Sequence, residues 1–310
     1  MEKYFNFLIS NLIVGFYFLN NDNWKKKNYK FEVVIFSFNR ALQLESLIKS
    51  LIFNLDGNIR INILYKTEKH TNKLYEDLKK QFIKNKNINF IYQERNFKNS
   101  LLKLIKTMND KNGSKKQLLF FVDDQIMFRN TNLNSINNLL KKAPITTLRI
   151  GLNTRSSYNL NKKQSIKDYP HSIKKNMLVW QPLFKEDDIS YVFSFDSSTI
   201  PYKLFRSFSR YLIYKGPNSI ESAMNYGGLT YKLLKLKLAS FIKQHVINFV
   251  ITKVQSETEN RGVFMETKEL DKFFKNNWEL KVDYSKISKF DSPHSDYGYL
   301  FEKKKYNIDH

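Results

Sequence analysis

Apolar and polar positions are grouped in blocks along the first half of the chain. Phe31-Glu32-Val33-Val34-Ile35-Phe36-Ser37, Ile61-Asn62-Ile63-Leu64-Tyr65, Ile88-Asn89-Phe90-Ile91-Tyr92 and Leu118-Leu119-Phe120-Phe121-Val122 are short runs bounded by polar residues. The first and last are almost continuously apolar, as in strands buried on both faces. Leu42, Leu44, Leu47, Ile48, Leu51 and Ile52 recur at roughly helical spacing, and further helices are predicted around His70 to Lys84 and from Ser100 to Lys106. Strand and helix therefore alternate four times in about 120 residues, and right-handed crossovers then require a mainly parallel sheet.

The second half is more mixed. The pattern predicts a helix from Leu133 to Lys142 and a strand from Ile145 to Gly151, then a long polar loop from Asn153 to Asn176. Loops of that length inside a domain are often functional lids. A strand follows at Tyr191 to Asp196, a helix from Tyr202 to Tyr214 begun by Pro201, and another helix over Pro217 to Asn225 with Asn or Ser as its cap. Ile247 to Val254 is the last predicted strand, with Gln255 to Arg261 as its exit. Beyond about Thr267 the chain is charged and aromatic, and its periodicity is compatible with folding back on the domain or onto a membrane. The chain thus divides into an apolar and basic segment (1–29), an α/β domain (30–265) and a C-terminal extension (266–310).

Phe5 to Leu19 is strongly apolar but interrupted by Asn6, Ser10 and Asn11, and it is shorter than the roughly 20 residues a spanning helix needs. It lacks the basic start and small-residue cleavage site of a signal peptide. Trp24 followed by Lys25-Lys26-Lys27 suits a headgroup interface. A membrane-surface helix is the expectation, with packing on the domain as the other reading.

Composition narrows the functional classes. Among 310 residues, 42% are hydrophobic and 15% aromatic, so a sizeable core is available. The absence of cysteine removes disulfides, thiolate zinc sites and cysteine nucleophiles, and suits a reducing compartment. A net charge of +23 points to anionic partners. The lysines are scattered, however, without an arginine-rich arm, zinc-finger spacing or aromatic-basic RNA motif, so specific nucleic-acid binding is not expected. Neither a dinucleotide fingerprint nor a P-loop occurs, and the histidines His70, His171, His245, His294 and His310 lack metal-ligand spacing.

The candidate chemistry gathers where the Leu118 run ends, at Asp123-Asp124. Open α/β sheets place ligands beyond the carboxyl ends of their strands. Two carboxylates there repel each other and lose solvation unless a cation or donors compensate. Two readings stand: a divalent-metal site, or an acidic turn capping the next helix.

The order of motifs resembles the GT-A glycosyltransferases, in particular bacterial sugar transferases related to the family-2 and exostosin-like hexosaminyltransferase groups. The residues that carry the likeness are Phe36-Ser37-Phe38-Asn39-Arg40 with Leu42-Gln43-Leu44, then Val122-Asp123-Asp124, Leu148-Arg149-Ile150-Gly151, Ser194-Phe195-Asp196, Asn218-Ser219-Ile220-Glu221, and Val254-Gln255 with Asn260-Arg261. They span roughly residues 31 to 262. The resemblance implies a single α/β domain of the GT-A type, with a mainly parallel central sheet and helices on both faces. It also implies sugar transfer from a nucleotide-sugar donor to a saccharide or lipid-linked acceptor in surface glycan synthesis, assisted by Mn²⁺ or Mg²⁺, at the cytoplasmic face of the membrane.

Carried over residue by residue, Ser37, Asn39 and Arg40 line the nucleotide pocket, Asp123 meets the ribose and Asp124 the metal, while Arg149 and Arg261 meet phosphate oxygens. Relatives often place an acid two positions after the first Asp; here that position is Gln125, which offers an uncharged oxygen. Glu221 and Asp196 are the candidate catalytic carboxylates. Each has a plainer alternative: Glu221 as a first-turn acid at a helix start, Asp196 as a turn or cap residue, and Arg149 as half of a structural ion pair. Trp180 either stacks on a sugar or fills core. Nucleotidyl transfer and a non-catalytic nucleotide-sugar-binding protein are the competing functional classes.

Overall fold

The central strands form because their residues feed two cores at once. A computed structural model describes residues 1–21, 24–25, 28–108, 115–156, 164–184, 189–249, 251–252, 265–289, 294–295 and 298–304. In chain order its first elements are α1 (Glu2–Leu19), β1 (Lys30–Phe38), α2 (Ala41–Asn54), β2 (Arg60–Lys66), α3 (Asn72–Gln81), β3 (Ile88–Tyr92), α4 (Phe97–Thr107) and β4 (Lys116–Val122). Then come β5 (Gln125–Met127), α5 (Leu133–Leu140), β6 (His171–Lys174), β7 (Met177–Trp180), β8 (Thr199–Pro201), α6 (Tyr202–Tyr211), α7 (Pro217–Asn225) and α8 (Gly228–Leu233). The last are β9 (Leu238–Phe241), β10 (Val246–Phe249), α9 (Thr267–Lys275), β11 (Trp278–Val282) and β12 (Tyr299–Lys303).

The five-stranded central sheet has the order β8-β4-β1-β2-β3. β4, β1, β2 and β3 run parallel, and β8 pairs antiparallel with β4 at one edge. Successive side chains in a strand point to opposite faces. Accordingly Val33, Ile35, Leu119 and Phe121 enter one core, while Val34, Phe36, Leu118 and Phe120 enter the other. The first core is closed by α2, α3, α5 and α9, and the second by α4, α6 and α7. The expected α/β plan, with a mainly parallel sheet and helices on both faces, is therefore what the chain adopts. At the amino ends of the strands, Lys116 Nζ meets buried Glu32 at 2.6 Å, and Asn62 donates to the same carboxylate.

Several second-half expectations are corrected. Tyr191 to Asp196 is not a strand. Its backbone finds partners on α7 instead: Phe193 N donates to Asn225 Oδ1 and Phe195 N to Glu221 Oε1. Ile145 to Gly151 is a strand only at Ile145–Thr146, continued by a single bridge from Thr147 to Ser198. The supposed loop Asn153 to Asn176 contains β6, which turns at Lys175 (φ 57°) into β7 to make an antiparallel hairpin. The predicted strand from Ile247 begins at Val246 and ends at Phe249. The helix at Pro217 is capped by Gly216 rather than by Asn or Ser; Ser219, one turn in, reaches back to accept from Gly216 N.

The described flanking segments pack on the domain. α9 and β11 pack against α2, where Lys304 meets buried Glu45 at 2.9 Å. α1 lies on α6, α7 and α8. Trp24, expected at a headgroup interface, is buried and its carbonyl accepts from Tyr29 Oη. No helix among the described residues is long and apolar enough to cross a membrane.

Gly151 in the Leu148-Arg149-Ile150-Gly151 stretch allows a close backbone approach. A Cβ there would lie 2.7 Å from Gln244 N and 2.8 Å from Ile242 O. Neither is a side chain that can swing away. Gly151→Ala should therefore cost about 1–3 kcal/mol through overpacking, read as a lowered urea midpoint at unchanged m-value.

Candidate active site

The turn after β1 is built by Asp123 reaching across from the end of β4. Asp123 Oδ2 accepts from Ser37 Oγ (3.0 Å) and Phe38 N (2.9 Å), and Oδ1 accepts from Arg40 Nη1 (2.9 Å). Ser37 Oγ also lies 2.6 Å from the hydroxyl of buried Tyr75, which accepts from Arg40 N. Asn39 adopts φ 56°, a left-handed conformation that Asn tolerates better than most residues. Its Oδ1 accepts from Glu68 N and Thr71 Oγ1, fastening this turn to the one after β2. The side chains of Ser37, Asn39 and Asp123 thus hold the turn together, with Asp123 fully engaged as an acceptor.

Arg40 links this turn to the rest of the site. Its Nη1 reaches Asp124 Oδ2 at 3.3 Å as well as Asp123, while Nε and Nη2 donate to Thr252 Oγ1 (3.1 Å) and Thr252 O (2.7 Å). Burial works against its charge, but the two carboxylates outweigh that cost and hold the guanidinium protonated. Asp124 is held more loosely. Its other oxygen lies 3.5 Å from Asn248 Nδ2, beyond good hydrogen-bond length.

Asn248 extends the network from Asp124 to Asp196. Its Nδ2 lies 3.5 Å from Asp196 Oδ1 also, and its Oδ1 accepts from Gln125 Nε2 at 3.0 Å. Gln125 Oε1 in turn accepts from Val122 N. Gln125 is therefore turned inward and fully used, and it does not offer the oxygen expected of it beside the Asp pair. The opposite side of Asp196 meets Arg149 Nη1 at 2.9 Å, with Arg149 almost wholly buried.

Glu221 completes the group from α7. It sits in mid-helix rather than in the first turn, so the helix-start explanation does not apply. Its carboxylate is turned toward the Ser194-Phe195-Asp196 segment and accepts from Phe195 N at 3.1 Å. Burial, then the Asp196 charge, push its pKa up from 4.5 to about 8, against the opposing pull of Phe195 N and Arg149. Asp124 is pushed up from 3.8 to about 7, first by burial and then by Asp123 and Asp196, with Arg40 opposing. Among the described residues, four carboxylates face two guanidiniums across this region. The raised values are the expected result of that imbalance.

The structure thus brings together Ser37, Asn39, Arg40, Asp123, Asp124, Arg149, Asp196 and Glu221 in one connected network. Arg261, with Val254, Gln255 and Asn260, lies outside the described residues. Trp180 is core, with Nε1 donating to Ile189 O. Tyr75, Thr252, Asn248 and Asn225 belong to the network or its scaffold and were not singled out from the sequence. Only Asn248 carried a usable signal, as a polar residue inside the apolar run Val246 to Phe249. Among the described residues no cluster of three His, Cys, Asp or Glu is suited to a metal. Asp124 alone combines a partly exposed carboxylate with weakly engaged oxygens. A hard dication that takes one protein carboxylate and otherwise phosphate oxygens and waters fits that donor set.

No protein-family model matches the sequence, and no curated protein matches it. Similar solved structures exist. Staphylococcus aureus TarS (residues 1–349, in complex with UDP) is 13% identical with a TM-score of 0.43, over 68% of this chain and 57% of that one. GalNAc-T7 with UDP, GalNAc and Mn²⁺ is 11% identical with a TM-score of 0.45, over 80% and 50%. The galactosyltransferase LgtC is 16% identical with a TM-score of 0.37, over 64% and 70%. The chain spans between 35% and 58% of the TarS chains it matches.

Two predictions follow from the charge imbalance. Asp124 and Glu221 keep their protons to higher pH folded than unfolded, so the native state binds more protons between the ordinary carboxylate range and about pH 7 to 8. Stability should fall as pH rises through that window, by at most ~1.4 kcal/mol per pH unit for each group. Glu221→Gln should flatten the slope, measured by urea unfolding from pH 5 to 8.5. Arg149→Met leaves Asp196 without its partner and should cost about 3–5 kcal/mol; an unchanged melting temperature would contradict the ion pair.

Proposed function

We propose that the chain transfers a sugar from a nucleotide-sugar donor to a saccharide or lipid-linked acceptor in surface glycan synthesis, assisted by a divalent cation held at Asp124. It would work at the cytoplasmic face of a membrane. One observation carries the reading: among the described residues, four carboxylates and two guanidiniums converge at the carboxyl ends of a parallel sheet. Ligands of open α/β sheets bind there, and a dication would bridge the loosely held Asp124 carboxylate to the diphosphate oxygens of the donor.

In this reading Ser37, Asn39 and Asp123 shape the turn that faces the nucleotide, and Arg40 fixes the Asp pair. Asp124 would hold the Mn²⁺ or Mg²⁺, whose Lewis acidity supports departure of the nucleoside diphosphate. Arg149 orients Asp196, and the two place Glu221 in a partly dry environment. A carboxylate whose pKa lies near working pH suits proton removal from an acceptor hydroxyl. Arg261 is assigned to phosphate oxygens on the sequence resemblance alone.

The test is a panel of nucleotide sugars with Mn²⁺ or Mg²⁺ and mass-spectrometric detection of donor cleavage or transfer. One donor should be turned over, and chelation should stop it. Asp124→Asn should lower kcat/KM about 100-fold or more. Glu221→Gln should lower kcat by about 10²–10⁴-fold with donor affinity retained. Nucleotide binding without turnover would mark a non-catalytic binding protein instead, and release of pyrophosphate from a nucleoside triphosphate would mark a nucleotidyltransferase.

A further inference from the structure

Helix α1 is amphipathic in the inverted sense. Three polar residues in its middle face the protein, while Glu2 and Lys3 at its start are exposed: Asn6 Nδ2 donates to Ile213 O and its Oδ1 accepts from Ile213 N, Ser10 Oγ donates to Met224 O, and Asn11 Oδ1 accepts from Thr230 N and Oγ1. Gly227 lets the helix lie directly on α8's start, since a Cβ there would fall 2.6 Å from Val14 Cγ2. These bonds fix the rotation of the helix about its axis. The outward stripe is then Tyr4, Leu8, Leu12, Phe16 and Leu19, at 79%, 53%, 59%, 76% and 65% exposure. It extends about 22 Å along the helix. Beside it, Ile213 and Leu233 are also exposed. A stripe this long and apolar on the surface marks a contact site rather than scattered surface hydrophobes.

Charge identifies the partner. From Tyr202 to Leu238, the segments on which α1 lies, every exposed charge is basic: Lys203, Arg206, Arg210, Lys215, Lys235 and Lys237. The one acid there, Glu221, points inward. An apolar helix face carried on segments whose exposed charges are all basic matches an anionic bilayer surface, with the apolar side chains among the acyl chains and the basic ones drawn to the headgroups. A second copy of the chain fits less well, because pairing two such faces brings two sets of basic side chains together.

We propose that α1 lies in the plane of an anionic membrane, outer stripe down, and seats the domain on it. This deepens the membrane location proposed above and names the face responsible. The seat is one layer from the candidate site: Ser10 bonds Met224 on α7, the helix that carries Glu221. An acceptor anchored in the same bilayer would therefore approach the Glu221 side of the network.

The experiment is co-sedimentation of the full chain with vesicles of phosphatidylcholine alone or mixed with phosphatidylglycerol, without donor. Binding is expected to the mixed vesicles only and should weaken with added salt. The triple variant Leu8→Gln, Leu12→Gln, Phe16→Gln should bind roughly tenfold more weakly or worse, while transfer to a water-soluble acceptor is unchanged. Arg210→Glu with Lys215→Glu leaves the stripe intact and should also weaken binding about tenfold or more, as expected when two basic contacts of roughly fivefold each are reversed. The proposal is overturned if neither vesicle binds, if binding survives both variants, or if sedimentation velocity shows a dimer that the triple variant dissociates. Failure of the transfer reading would show as wild-type protein that binds vesicles yet turns over no donor.

Discussion

Unequal pairing of buried charge is the constraint on which the rest of this structure depends. Arg40 must satisfy both Asp123 and Asp124, and Arg149 must satisfy Asp196 while only partly offsetting the field at Glu221. Buried carboxylates are tolerated when donors surround them, and the fold supplies donors unequally. Asp123 receives three, from two side chains and a backbone amide of the turn after β1. Asp124 receives only long contacts. The first carboxylate of the pair is thus firmly held and the second loosely held, one residue apart.

The elements that converge there are held by groups unconnected with one another in sequence. Thr252 closes on Arg40 and also bonds Gln43 at the start of α2. Asn225 replaces a strand partner for Phe193 by bonding both its N–H and its C=O. Because the Tyr191 to Asp196 segment is clamped by α7 side chains rather than a ladder, Asp196 can leave the sheet and turn toward Arg149. A regular strand would have placed successive side chains on alternate faces and kept Asp196 in the register of a ladder.

This explains which features were legible in the sequence. Val33 to Phe36 and Leu118 to Phe121 declare a doubly buried sheet because both faces demand apolar side chains, and the Asp pair follows from where that run stops. Tyr191 to Asp196 satisfies the same pattern and is no strand, since burial of Phe193 and Phe195 sets the apolar period whatever the backbone is bonded to. The hairpin of β6 and β7 escaped notice because β6 is exposed on all four residues and carries no apolar alternation. The connections of Tyr75 to Ser37 and of Thr252 to Arg40 have no local signature at all. They are contacts between distant residues that only the packed chain brings together.

Gln125 shows how a motif position can keep its place and change its work. A third acid there would add a charge to a region that already holds four carboxylates, set among the described residues against Arg40 and Arg149. The amide adds none. Instead it bonds Val122 N with one end and Asn248 with the other, and so turns the Asn248 amide nitrogen toward the gap between Asp124 and Asp196. That nitrogen separates two carboxylates that would otherwise face each other directly. The sequence Asp-Asp-Gln therefore divides the work along one strand end: Asp123 builds the turn, Gln125 supports the spacer, and Asp124 is left with two long contacts.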